Sequence, residues 1–290
     1  MTWRTVVIAN RAKLDYSQGC LVCRGEKTQR VHLSEIATLV IETTAVSLTS
    51  GLLCELIRSG VKVIFCDEKY NPQSELIPYR GCHDSADKLR QQIAWTAETK
   101  QQVWAAIIEN KIYQQAEHLH RLNKNEGAAL LDSYINEGGA EDIVSREGIA
   151  SRVYFINLWG TDFVRNDSTS SINAALNYGY ALILSSMNRE IVANGYLLQL
   201  GIHHIGPDNP FNLGCDLMEP FRPIVDDVVF QMNPKKFFIE EKRRLQEICQ
   251  ITVQQGGDRR YLSHAIEVYV RSVFQALTEK TPSLIQFYER

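Results

Sequence analysis

The sequence contains no run approaching the ~20 apolar residues that a membrane-spanning helix needs, which excludes an integral helical membrane protein. Its first residues, Met1-Thr2-Trp3-Arg4-Thr5-Val6-Val7-Ile8, pass straight into a strand-like pattern, without the apolar core and cleavage site of a secretory leader. Internal repeats and low-complexity tracts are also missing. Cysteine is odd in number, seven, scattered at positions 20, 23, 54, 66, 82, 215 and 249. That is no disulfide framework, and it fits reduced thiols in a cytosol. Cys20-x-x-Cys23 lacks the second pair that a four-ligand zinc site usually draws on. On a strand its two thiols face opposite sides and cannot chelate. A strong charge of one sign is absent too: 31 Lys and Arg against 34 Asp and Glu leave −3. A surface uniformly suited to polyanions is thereby excluded.

What is present describes an ordinary globular chain. Its 290 residues suffice for two modest cores, with 44% apolar and 22% charged residues. Residues 1–72 hold short β-branched runs such as Thr5–Ile8, Gln29–Leu33, Thr38–Glu42 and Val61–Cys66. Ser50 to Ser59 reads as a helix closed by Gly60. Two prolines and a glycine within 71–84 then predict a linker, set between the domains at 73–85. Helical periodicity dominates 86–290, with helices expected at 86–110, 111–123, 126–136, 140–156, 171–193, 236–254 and 259–277. The fold class is therefore α+β, a small β domain followed by a larger all-α domain. Charge is unevenly spread: +2 over 1–72, −4 over 141–222 and +3 over 235–290.

The acidic segment contains the most informative stretch, residues 201–223. His203 and His204 follow a mostly apolar run, and a turn-rich loop leads to Asp216 and Glu219. If helical there, the two acids share one face. Imidazole and carboxylate donors suit a divalent cation such as Mg²⁺ or Mn²⁺; solvated acids on a surface turn are the other reading. Upstream, Ile143, Ala150 and Tyr154 mark a buried helical stripe, and Glu147 occupies the remaining position on it. A buried acid needs a partner. A metal is one; an ion pair with Arg146 or Arg152 is another. Gly148 weakens that helix by ~1 kcal/mol, which calls for a packing or access reason.

Arg146-Glu147-Gly148 with Arg152, Asn173-Ala-Ala-Leu-Asn177-Tyr-Gly-Tyr180, Gly201-x-x-His204 and Asp216-Leu-Met-Glu219-Pro-Phe-Arg222-Pro223 occur in one order. In that order and spacing the chain resembles the CRISPR adaptation integrase family, the universal spacer-acquisition nuclease-integrases, with details like its type II branch. The resemblance implies an N-terminal β-sandwich used for homodimerisation and a helical catalytic domain. It implies metal-assisted transesterification, in which the 3′-hydroxyl of an incoming DNA fragment attacks a phosphodiester at a repeat border. Glu147, His204 and Glu219 match the family's catalytic metal ligands for Mg²⁺ or Mn²⁺, and Asp216 a nearby acid. His204 is preferred over His203 because the pattern is Gly-x-x-His, although their roles are open to exchange.

Double-stranded DNA, a small companion subunit bridging two dimers, and effector-nuclease or accessory adaptation proteins are the implied partners, in a prokaryotic cytoplasm with no membrane role. Arg146, Arg152 and Arg222 are expected to hold phosphate or orient carboxylates. Lys235, Lys236, Lys242, Arg243, Arg244, Arg259 and Arg260 form a basic stretch with interleaved aromatics. It reads either as a phosphate-contacting surface or as helix pairs with Glu240, Glu241 and Glu247. Asn173, Asn177 and Tyr180 form a polar stripe for DNA or for satisfied packing. His118 and His120 are read as diverging surface residues, and His83 and His264 as lone ones.

Overall fold

The computed structural model describes residues 4–68, 72–79, 85–136 and 140–290. His83 lies outside them. The chain divides into two compact units, 1–79 and 80–290.

The first unit is built from two four-stranded sheets. Strands β1 (Arg4–Ile8), β2 (Ala12–Ser17), β3 (Cys20–Arg24), β4 (Thr28–His32), β5 (Ile36–Ile41), β6 (Val46–Leu48), β7 (Lys62–Cys66) and β8 (Pro72–Glu75) pair in the orders β1-β5-β7-β8 and β4-β3-β2-β6. The pairs β1–β5, β5–β7 and β2–β6 are parallel, the others antiparallel. Alternation drives the sheets together: in β2, Ala12 and Leu14 are buried while Lys13 is exposed. Leu14 and Leu21 from one sheet share a core with Ile36, Leu39 and Val63 from the other. Helix α1 (Ser50–Arg58) adds Leu52 and Leu56 to that core, and its first turn is capped by the Thr49 hydroxyl, which accepts from the Leu52 N–H at 3.3 Å. The unit is thus sandwich-like. It also reaches further than the expected boundary at 72. Residues 72–75, read as the start of a linker, form an edge strand on β7, and Glu75 pairs with Lys62 at 3.2 Å. Pro72 opens that strand, where a missing N–H is tolerated.

The second unit is helical: α2 (Ser85–Ala94), α3 (Ala97–Arg121), α4 (Asn125–Asn136), α5 (Ala140–Trp159), α6 (Ser171–Ala193), α7 (Asn212–Leu217), α8 (Arg222–Met232), α9 (Ile239–Gln246) and α10 (Leu262–Glu279). Helix α3 packs against α4, α5, α8, α10 and a 3-10 turn, Glu219–Phe221, and so forms the spine of the unit. Its 25 residues run unbroken through the expected division at 110/111. The unit is not wholly helical. Where periodicity predicts one helix over 236–254, α9 gives way to a 3-10 turn and to strand β9 (Thr252–Gln255), which pairs with β10 (Asp258–Tyr261). Gly256 and Gly257, at φ +61° and +83°, make the hairpin turn. No described helix is long and apolar enough to cross a membrane.

Candidate active site

Helix α3 turns a mixed stripe inward. Trp104, Ile108, Lys111, Gln115 and His118 recur at helical spacing, and all are buried. Helix α5 buries Ile143, Ala150 and Tyr154, and leaves Glu147 on the same stripe with its side chain 31% exposed. The 3-10 turn after α7 brings in Glu219, 6% exposed.

These three side chains meet. The Lys111 ammonium lies 2.5 Å from Glu147 Oε1 and 2.6 Å from Glu219 Oε2. Arg222 Nε donates to the other Glu219 oxygen at 2.8 Å, and its guanidinium lies over the Tyr180 ring at 4.6 Å. Burial pushes the Lys111 ammonium toward deprotonation, but Glu219 and Glu147 outweigh it and hold its pKa above the ordinary value. Burial likewise acts to raise the Glu219 carboxyl, and Arg222 and Lys111 hold it below the usual range. Both groups therefore stay charged in the interior. Beside them opens a cavity of about 210 Å³, also lined by Ser151, Arg165, Tyr180 and Asp226.

Asp216 does different work. It is fully buried, and its Oδ2 accepts the backbone N–H groups of Ile202 and His203 at 2.7 and 3.0 Å. Its Oδ1 accepts the His204 N–H at 3.0 Å and contacts His204 Nδ1 at 2.5 Å. Those bonds use the acceptor capacity of a carboxylate. The Gly201-x-x-His204 spacing follows from this wrap: a Cβ on Gly201 would stand 2.3 Å from the His204 carbonyl oxygen and 2.7 Å from Asp216 Oδ2. Only glycine fits there. Holding Nδ1 fixes the ring and leaves Nε2 on its opposite edge. The bond to Asp216 raises the His204 pKa against the opposing effect of burial, and Glu219 and Glu147 add to the rise. His203, by contrast, lies stacked on Trp104, ring centroids 4.3 Å apart.

The expected ligands are thus partly assembled. Glu147 and Glu219 converge; among the described residues, no three His, Cys, Asp or Glu side chains form a group able to hold one ion. The position between the two carboxylates nevertheless accepts a cation, since the Lys111 ammonium stands in it. The oxygen donors suit Mg²⁺ or Mn²⁺, and His204 offers a borderline nitrogen.

Several expectations change. The partner of Glu147 is Lys111, not Arg146 or Arg152. Arg146 reaches the Tyr134 carbonyl at 3.5 Å and lies against its ring, while Arg152 is exposed. The Gly148 Cβ position has nothing within 4 Å, so close packing is not the reason for that glycine. Lys242 is buried, its ammonium 5.7 Å from the Tyr178 and Phe237 ring centroids, and is no surface cation. Lys235, Lys236, Arg243 and Arg244 are exposed; Arg259 donates to Thr252 and Arg260 pairs with Asp258. Glu241 accepts the Phe238 N–H at the start of α9.

Asn173, which is buried, and Asn177, which is exposed, both accept from Arg165, at 3.4 and 2.8 Å, so packing accounts for Asn173 and not for Asn177. His118 is buried rather than on the surface, with Nδ1 2.7 Å from the Tyr154 hydroxyl and Nε2 3.2 Å from Asp227; His120 does diverge from it, toward Asp132. His264 contacts Glu267. The six described cysteines are unbridged.

Lys111, Arg165 and Asp226 are site residues that the sequence reading misses. A lysine on the apolar stripe of α3 is the signal that could have found the first, and the expected helix break beside it conceals that stripe.

The chain matches the family model for CRISPR associated protein Cas1 over residues 5–266. It is 34% identical over 233 residues to a CRISPR-associated endonuclease Cas1 of Neisseria meningitidis serogroup C (strain 8013), covering 80% of this chain and 76% of that one. A second relative, from Pyrobaculum aerophilum, is 27% identical over 238 residues, 76% of this chain and 79% of its own. Among solved structures, a casposase bound to integration product superposes with TM-score 0.75 at 20% identity, covering 97% of this chain and 91% of that one. A CAS1 protein from Thermotoga maritima gives 0.76 at 13% identity, covering 94% and 97%. A chain of a Cas6-RT-Cas1–Cas2 complex gives 0.74 at 14% identity, covering 99% of this chain and 36% of that one. At such identities the structural likeness speaks for the fold. The family model spans most of the sequence and a relative above 30% identity covers four-fifths of it, so the chain belongs to the CRISPR associated protein Cas1 family.

Proposed function

We propose that the chain is a Mg²⁺- or Mn²⁺-dependent DNA integrase and endonuclease that inserts fragments into a CRISPR repeat array by 3′-hydroxyl transesterification. The observation that carries this reading is the convergence of Glu147 and Glu219, from distant parts of the chain, on a single cation position. The names of its relatives agree with it: one is called a CRISPR-associated endonuclease, and a structural neighbour is a casposase bound to integration product.

In this reading Glu147, Glu219 and His204 hold the ion. Bound there, it supplies Lewis-acid polarisation of the phosphoryl group and charge stabilisation at the attacking and leaving oxygens. Arg222 fixes the Glu219 carboxylate through Nε, and Tyr180 supports Arg222 from below. Asp216 holds His204 through Nδ1 and leaves its Nε2 edge either to hold the ion or, when it does not ligate, to carry a proton toward the departing 3′-oxygen. One phosphorus–oxygen bond forms at the attacking hydroxyl, which gives up its proton, and one breaks at the leaving oxygen, which gains one. With water as the nucleophile the same arrangement cleaves DNA.

Open sheet edges in the β unit suit dimer formation. A structural neighbour occurs in a Cas1–Cas2 complex, consistent with a small companion subunit bridging two dimers, alongside effector-nuclease or accessory proteins of the type II kind. The exposed cations Lys235, Lys236, Arg243 and Arg244 offer a phosphate-contacting patch.

A strand-joining assay tests the reading. It supplies duplex with free 3′-hydroxyls and a repeat-bearing target, with and without Mg²⁺ or Mn²⁺, and with and without the companion. Joined products that require the ion support integration, whereas fragments alone assign cleavage only. Glu147→Ala and His204→Ala are expected to abolish joining while DNA binding survives; undiminished joining by either refutes the assignment.

A further inference from the structure

Lys111 stands between two carboxylates. Its ammonium touches one oxygen from each of the two carboxylates proposed to hold metal, at 2.5 and 2.6 Å, with the lysine side chain only 7% exposed. We propose that Lys111 is a built-in counter-ion: it holds Glu147 and Glu219 together in the metal-free protein, competes with the divalent cation for the same oxygens, and must swing away for that ion to enter. This rests on the metal-dependent reading above.

Three observations support it. First, a divalent ion of this class sits ~2.1 Å from its oxygens. Both bridging oxygens are already turned toward one point, so an ion there and an ammonium in contact with the same two atoms exclude each other. Second, a buried carboxylate such as Glu219 brought against a second, partly exposed one at Glu147 is repelled by it unless a cation lies between them. Arg222 does not serve for both, because it reaches only Glu219 and is stacked on Tyr180. Lys111 is the group that bridges. Third, the lysine is equipped to move. It is a point charge on a flexible four-carbon stem, and the adjoining cavity of about 210 Å³ presents the Ser151 hydroxyl and the Asp226 carboxylate among its lining.

The consequence is a set point for metal affinity that no proposed metal ligand provides. A protein without this lysine should bind the ion more tightly and depend on it more for its fold.

The test measures Mn²⁺ binding to the full chain without DNA, by calorimetry and by the loss of free Mn²⁺ electron paramagnetic resonance signal, together with melting in chelator and in Mn²⁺. Lys111→Met and Lys111→Gln are compared with the unaltered protein. Both variants are expected to bind Mn²⁺ at least about tenfold more tightly, to melt lower in chelator, and to gain more from Mn²⁺. Should Lys111→Met fail to fold in chelator, recovery of the fold on Mn²⁺ addition supports the counter-ion role equally. Unaltered protein that binds Mn²⁺ while both variants bind it equally or more weakly overturns the counter-ion role and leaves the metal-dependent reading standing. Unaltered protein that binds no Mn²⁺ overturns both.

Discussion

In the β unit, Leu14, Val22, Ile36, Leu39 and Leu52 are sealed from solvent, and the charged side chains buried with them among the described residues are Glu42 and Lys62. In the helical unit, Lys111, Asp216, Glu219, Asp226 and Asp227 are all buried, with His118 among them. A buried charge lowers stability unless it is paired, and replacing a pair by apolar groups is often neutral or better. The β unit follows that rule nearly throughout. The helical unit departs from it repeatedly along one helix and the elements facing it. The contrast separates a scaffold from a reaction vessel, and it can be broken by substitutions in each.

The largest expected effect is in the helical unit. Glu219→Gln keeps the shape of the side chain but removes the charge that faces Lys111 and Arg222. Joining should fall by at least about 10²–10³-fold, with DNA binding measured in parallel to show that the loss is chemical. The matched substitution in the β unit is Lys62→Met, which removes the ammonium paired with the nearly buried Glu75 carboxylate at 3.2 Å. Its expected cost is ~3–5 kcal/mol of stability, read by denaturant unfolding, with the joining rate per folded molecule unchanged. A lost rate there would erase the distinction between the two units.

Next in size is Asp216→Asn. An amide nitrogen replaces one of two oxygens that together accept three backbone N–H groups and hold the His204 ring. Losses of ~10–100-fold are typical when such an orienting group is altered. A structural role alone would not move the His204 titration. Here its pKa, raised chiefly by Asp216, should drop toward the ordinary histidine value, as followed by ring-proton NMR.

How far the sequence reveals this site depends on whether the signal is local. The Gly201-x-x-His204 spacing reflects a turn wound around one carboxylate, and Glu147 betrays itself by interrupting an apolar stripe. Both are legible because neighbours in the chain set them. The sheets of the β unit are legible for the same reason, through β-branched runs. Lys111 is not, since its partners come from α5 and the 3-10 turn, and a helix boundary expected beside it hides its place on the α3 stripe. His118 fails similarly: nothing near it in sequence announces Tyr154 and Asp227. Lys242 reads as part of a basic cluster because charge is visible in a sequence and the rings that cover it are not. The β9–β10 hairpin, with its paired glycines at positive φ, does carry a local signal, but helical residues on either side outweigh it.

A smaller effect comes from Asp226, behind the site. Burial raises its carboxyl to about 7, against the opposing hydrogen bond from Tyr180 and the charge of Arg222. Its folded pKa thus lies above an unfolded value of ~3.9. The native state binds the extra proton between these values, so stability from this group falls as pH rises from about 4 to 7, by at most ~1.4 kcal/mol per pH unit. Asp226→Asn should remove that slope, as urea unfolding at a series of pH values would show. Asp227 behaves in the opposite sense. Burial acts to raise it, and His118 and Arg290 hold it at about 2, so its contribution is present above ~3.9 and is lost as pH falls toward 2.

The smallest effect sharpens the comparison most finely. Gly148 lies next to Glu147 in the body of α5, exposed, and beyond its chain neighbours and its own helix's backbone nothing comes within 4 Å of where a Cβ would stand. On helix propensity alone, Gly148→Ala should stabilise the protein by up to ~1 kcal/mol, about 2–4 °C in melting temperature for a unit of this size. Close packing is therefore excluded as the reason for a glycine here, and access from outside remains. If DNA comes against this face to reach Glu147, the added methyl should slow joining several-fold while the melting temperature rises. Opposite signs in the two measurements are the expected result. A variant that is both more stable and fully active would show that the nucleic acid approaches Glu147 from another side.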